Sequence, residues 1–183
     1  HPSHFTGAGG WAAYGADRSV NLNNDSHQVV WATANTGLNG QTLLLSAADS
    51  ANIIDFQNPL DLGGSARTVQ VADGSAGVDA RLSGLLSGTG GGLTKTGSGT
   101  LQLTLATAYT GATTVTGGTL LLDGATAAIT SSSGVAIGSG ATLLLSNTSA
   151  LNNTDRLKNA GTVAMTGGAL NFSHTAGAAD YSE

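Results

Sequence analysis

The 183-residue chain is long enough for one domain with a continuous core. It carries 9% charged residues, where about a quarter is usual, and 40% apolar residues grouped in strand-like runs, which excludes ordinary disorder. A net charge of −5 with scattered basic residues gives no nucleic-acid surface, the lack of cysteine excludes a disulfide frame or thiolate metal site, and no apolar run reaches the ~20 residues of a membrane helix.

In chain order, residues 1–40 are the least repetitive and read as an irregular N-terminal coil or cap, with strands near Ser19–Leu22 and Gln28–Ala32. Trp11, Tyr14 and Trp31 fall here, as an end cap over the stack or as a platform on which a ligand ring could stack. His1 and His4 form the one pairing that could share a metal, but no dense ligand cluster accompanies them, so no metal and no cofactor are expected. Residues 41–183 read as one continuous run of β-repeats. Ile53–Phe56 and Val69–Val71 are strands of two or three coils, 88–122 is the best-formed stretch, and 127–172 adds about two more coils. A short helix over Asn152–Lys158 is a minor expectation, and the tail from His174 is small and polar. No signal peptide is visible at His1, and Tyr181–Glu183 reads as a point inside a continuing repeat. The expectation is an excised or processed segment whose stack continues in a longer polypeptide or in another copy.

One theme, Gly-x-Thr/Ala-Leu-x-Leu, organises the whole chain. It occurs at Gly40–Leu45, Gly99–Leu103, Gly118–Leu122, Gly140–Leu145 and Gly168–Phe172. The last four first-position leucines are Leu101, Leu120, Leu143 and Leu170, at steps of 19, 23 and 27 residues. A second theme precedes several copies at Val115, Val135–Ile137 and Val163–Met165. Units of this period, built of short strands and glycine turns with no helical pattern, cannot bury an apolar face alone. Stacking each on the next makes the continuous core of a β-helix. Side chains alternate across a strand, so the predicted core is Leu43, Leu45, Leu101, Leu103, Leu120, Leu122, Leu143, Leu145, Val163 and Leu170. The expected architecture is all-β, a parallel β-helix of about 7 coils.

The stretch Gly91-Gly-Leu-Thr-Lys-Thr-Gly-Ser-Gly-Thr-Leu-Gln-Leu103, then Tyr109-Thr-Gly-Ala-Thr-Thr-Val115, then Gly117-Gly-Thr-Leu-Leu-Leu122 resembles the passenger-associated transport repeat, also called the autotransporter-associated β-strand repeat. The close likeness covers about a fifth of the chain. Leu105–Ala108 departs from it where the family has a Gly and an Asn before the tyrosine. The resemblance implies a right-handed parallel β-helix in the passenger of a large bacterial surface or secreted protein. It implies an extracellular or outer-surface location, a link to secretion and to display of adhesive regions, and no catalytic residues.

Structural work is therefore expected before catalysis. A head-to-tail filament subunit is one form of it, since an open β-helix end offers unpaired backbone. An adhesin module binding a glycan or host surface is the alternative, and a polysaccharide-active enzyme comes third. Glycoside chemistry needs two carboxylates a few ångströms apart. Asp49, Asp55, Asp61, Asp73 and Asp79 recur at intervals of 6 or 12, which is not a whole coil, so they read as solvated turn residues. The glycine clusters form no phosphate loop, Ser98 reads as a turn hydroxyl, and Lys95 as an exposed corner residue. Asn and Thr are expected to line up in ladders along the axis, conferring resistance to heat and protease.

Overall fold

The computed structural model describes residues 5–31, 37–148, 152–175 and 177. They form a parallel β-helix in which every strand pairing is parallel. The first coil holds β1 (Gly9–Trp11), β2 (Arg18–Val20) and β3 (Val29–Val30), and the second β4 (Leu43–Leu45), β5 (Ile54–Phe56) and β6 (Leu60–Asp61). The third has β7 (Ala66–Val71), β8 (Ala80–Leu82) and β9 (Leu86–Gly88), and the fourth β10 (Gly92–Thr96), β11 (Thr100–Leu103) and β12 (Ala108–Tyr109). The last three carry two strands each: β13 (Thr113–Val115) and β14 (Gly118–Asp123), β15 (Gly134–Ile137) and β16 (Ala141–Asn147), and β17 (Thr162–Met165) and β18 (Ala169–His174).

Stacking places these strands in three sheets. The first runs β1-β4-β7-β10-β13-β15-β17, the second β18-β16-β14-β11-β8-β5-β2, and the third, of four strands only, β12-β9-β6-β3. Beyond the fourth coil the third side continues through an isolated Ala106–Ala128 bridge and a bond from the Ile129 amide to the Arg156 carbonyl. The spacing of leucines in the sequence translates directly into register. Leu101, Leu120, Leu143 and Leu170 are successive partners, as are Leu103, Leu122, Leu145 and Phe172. Steps of 19, 23 and 27 residues give the same pairing because the extra length leaves the stack at its corners.

Alternation within each strand fills the core. Leu43, Leu45, Leu101, Leu103, Leu120, Leu122, Leu143 and Leu145 are all buried, and Val163 and Leu170, on the seventh coil, pack against that core while half-buried. Burying one leucine removes about 1.5–3 kcal/mol worth of apolar surface from water, so the two leucine columns of the second sheet dominate cohesion. The Gly40–Leu45 copy of the theme departs from the others. Its leucines lie in the first sheet, on β4 against β7, not in the second sheet with the other copies. The local pattern specifies an inward-outward-inward strand after a glycine turn; it does not specify which side of the helix that strand occupies.

Residues 9–30 form a first coil in which β2 and β3 fall at the two strands expected there; β1 adds a third, and together they join all three sheets. Asn152–Lys158 forms no helix; it runs as an irregular segment around the buried Arg156 side chain. The one helical turn among the described residues is 3-10, at Leu22–Asn24. No helix of the described residues is long and apolar enough to cross a membrane.

Candidate functional site

The corner where the first sheet passes into the second holds the least ordinary chemistry of the molecule. In the first sheet one inward column reads Leu43, Val69, Lys95, Val115, Ile137, each the register partner of the next. A lysine thus occupies a core position. Lys95 is fully buried, not the exposed corner residue its sequence context suggests. Its Nζ donates to the carbonyls of Thr96 at 3.0 Å and Gly97 at 2.9 Å on its own coil, and of Gly117 at 3.0 Å on the next. Burial lowers its pKa from 10.5 to about 8, against the opposing pull of the Asp79 and Asp73 carboxylates.

Asp79 is the counterpart on the preceding coil and is also fully buried, which corrects its reading as a solvated turn residue. Its Oδ1 accepts the Gly74 amide at 2.7 Å and its Oδ2 accepts the Thr100 amide at 2.8 Å, so a carboxylate from the third coil holds the backbone of the fourth. Glycine is obligatory where these corners nest. Gly97 has φ +77°, and a Cβ there would strike the Val71 carbonyl oxygen. Gly118 has φ +58°, and a Cβ there would strike the carbonyls of Gly97, Ser98 and Gly99.

Two further polar clusters lie inside the stack. Arg156 is fully buried and donates to the carbonyls of Gly124, Ala127 and Ser146 and to Oδ1 of the buried Asn147. Tyr109, Thr113 and Ser132 form a buried hydroxyl chain. Thr113 donates to Ser132 Oγ at 3.0 Å, which leaves the Tyr109 hydroxyl to donate to Thr113 at 2.7 Å, and Ser132 completes the chain on the Gly111 carbonyl. Burial raises the Tyr109 pKa from 10.0 to about 12. These two shifts act in opposite directions on stability. Lys95, depressed in the fold, contributes stability that is present above pH ~10.5 and lost as pH falls to about 8. Tyr109, elevated in the fold, contributes stability that is present below pH ~10 and lost as pH rises through about 12. Urea denaturation across pH 7–12 should show a rise from 8 to 10 that Lys95→Met removes, then a fall above 10 that Tyr109→Phe softens.

Trp11, Tyr14 and Trp31 do not share one exposed face. Trp31 is fully buried, with its indole N–H on the Gln41 carbonyl at 2.8 Å, and presents no surface on which a ring could stack. Trp11 lies between Phe5 and Phe56, with ring centroids 5.6 Å away in each case, on the inner side of the first coil. Phe5 and Trp11, partly buried against the core, cover that end of the stack. Tyr14 stands 52% exposed, its hydroxyl donating to Asp49 at 2.7 Å.

Asp49, Asp55 and Asp61 have separate settings, whereas Asp73 and Asp79 both act on Lys95. Asp49 serves Tyr14, Asp61 accepts the Gly63 amide, and Asp55 faces outward on the second sheet as the register partner of Arg81. Along that outer face Arg81 donates to Gln102 at 2.7 Å, and Gln102 to Asp123 at 3.2 Å. On the first sheet Thr68, Thr94 and Thr114 line up as successive partners, an outer threonine column running along the axis. His27 lies exposed 3.1 Å from Asp25, and His1 and His4 lie outside the described residues. Among the described residues no three His, Asp or Glu side chains stand close enough together to hold a metal ion.

The sequence did carry a sign of Lys95, since Leu93 and Lys95 share strand parity. Asp79 and Arg156 had none, because both are recruited by loops whose path depends on the neighbouring coil.

A family model, the passenger-associated-transport-repeat, matches residues 93–122, the segment that runs from β10 through β14 and contains Lys95, Gly97, Gly117 and Gly118. No curated protein and no solved structure matches the chain.

Proposed function

We propose that this chain, whose fourth and fifth coils carry a passenger-associated transport repeat, is a structural β-solenoid module of a secreted or surface-displayed bacterial protein. The observation that carries this reading is the placement of the repeat. It sits in mid-stack, continuous in two ladders with coils on both sides, and its buried polar groups are spent on backbone amides and carbonyls of neighbouring coils. Side chains used in that way hold a scaffold together.

Head-to-tail association is the finer form of the proposal. Met165 continues the inward column of the first sheet at the seventh coil and stands 55% exposed. Stacking another coil on that end would remove its surface from water. Adhesion is the alternative, with the half-buried outer threonine column and the outward-facing Arg81 and Asp123 as the surfaces offered to a glycan or host surface. Electron microscopy and light scattering of the purified native protein test the choice. Filaments with an axial repeat on the order of 35 Å, the height of seven strand spacings, support a fibre subunit. Uniform single particles at high concentration reject it and direct the search to glycan binding on the flanks.

A further inference from the structure

The columns that hold this stack together are nearly the same from coil to coil. Leu101, Leu120 and Leu143 form one and Leu103, Leu122 and Leu145 another. Parity fixes which face of a strand turns inward, because a one-residue slip would expose every leucine. It does not fix which coil lies on which. If β15 and β16 skipped a coil and paired with β10 and β11, leucine would still meet leucine in the second sheet. The apolar core alone tolerates several stacking orders.

The corner occupied by Lys95 does not. Its ammonium needs the Gly117 carbonyl, and that oxygen reaches it only because Gly118, at φ +58°, lets the fifth-coil corner nest against Gly97–Gly99. With another coil in that place, a buried cation would lose an acceptor inside an apolar column. An unsatisfied buried charge is far costlier than a mismatched methyl group. Asp79 does the same on the other side of the coil, and its carboxylate and that of Asp73 are the charged groups that act on Lys95.

We propose that Lys95 is a register lock: its buried ammonium, satisfied only when the Gly117 corner lies against the Gly97 corner, selects one stacking order among repeats whose leucine columns would accept several. The lock selects a pairing and is not what makes the stack stable. Leucine in its place would continue a column of Leu43, Val69, Val115 and Ile137.

The test uses Lys95→Leu in two reporter backgrounds, made easy by the absence of native cysteine. Thr94→Cys with Thr114→Cys reports the native pairing, since the two are register partners on the outer face. Thr94→Cys with Ala136→Cys reports a skipped coil. Each protein is refolded from denaturant and treated with a short thiol cross-linker. With Lys95 present, only the native pair is expected to cross-link. With Lys95→Leu, the native yield should fall several-fold and the skipped pair should appear, while the melting temperature does not drop. An unchanged native yield with no skipped pair overturns the proposal. A Lys95→Leu protein that cannot fold overturns it equally, by making Lys95 a source of stability and not of selection. Amine acylation of the unmodified native chain gives an independent readout. Exposed Lys158 should label readily and Lys95 should not; equal labelling means that the lock is not engaged.

Discussion

Gly118→Ala is expected to unfold the centre of the stack, lowering stability by more than about 4 kcal/mol. Two costs combine at this position. A residue with a Cβ is strained at φ +58°, by about 1–2 kcal/mol. The Cβ also has no room, because it would press on the carbonyl oxygens of Gly97, Ser98 and Gly99, which are backbone and cannot swing aside. Gly140→Ala separates the two costs. Gly140 has a similar φ, +72°, but open space where the Cβ would point, so its loss should stay near 1–2 kcal/mol. Urea midpoints of the two variants measure the difference, and equal losses would show that conformational strain, not the nesting of corners, requires glycine at Gly118.

Arg156→Met is the second large effect, expected at about 3–5 kcal/mol, because several buried oxygens lose their donor at about 1–3 kcal/mol each. Methionine fills much of the same volume but donates nothing. The carbonyls of Gly124, Ala127 and Ser146 and the Asn147 side-chain oxygen would each lose the donor that holds them. The damage should be local in amide hydrogen exchange. Ile129, which bonds the Arg156 carbonyl, and Asn153, which bonds Asn147, should lose protection ahead of the leucine columns. Arg81→Met is the contrast. Arg81 lies on the outer face with one bond to Gln102, and its loss should cost no more than about 1 kcal/mol. If the two arginine variants prove equal, the cage does not stabilise the fifth and sixth coils.

The difference between these arginines shows what a repeat sequence reveals about its own fold. Leu101, Leu120, Leu143 and Leu170 are legible because a strand with period two and a glycine turn is a local pattern, and register follows from matching like with like. β2 and β3 were legible as short strands, but β1 was not: Gly9–Trp11 lacks the leucine pair, and its membership is settled by the coil it pairs with. Lys95 was read as an exposed corner residue of the repeat, although it shares strand parity with the buried Leu93. What holds it inside is a set of carbonyls from two glycine corners, one of them 22 residues away. Arg156 and Asp79 are likewise held mainly by backbone groups, some of them on neighbouring coils, and backbone groups leave no mark in a sequence.

The early end of the third sheet has a mechanical consequence. The ladder hydrogen bonds of a parallel β-helix run along its axis, so tension applied between the two ends loads them directly, one coil at a time. The first four coils are joined by three ladders, and those beyond by two with isolated bonds on the third side. The first and second coils are held by three short ladders of two or three residue pairs, and the sixth and seventh by two longer ones of four and six pairs, so such a pull is borne on three sides of the rod at one end and on two at the other. Beyond the fourth coil the load falls on the first and second sheets, and the long strands β14, β16 and β18 carry the larger share of it.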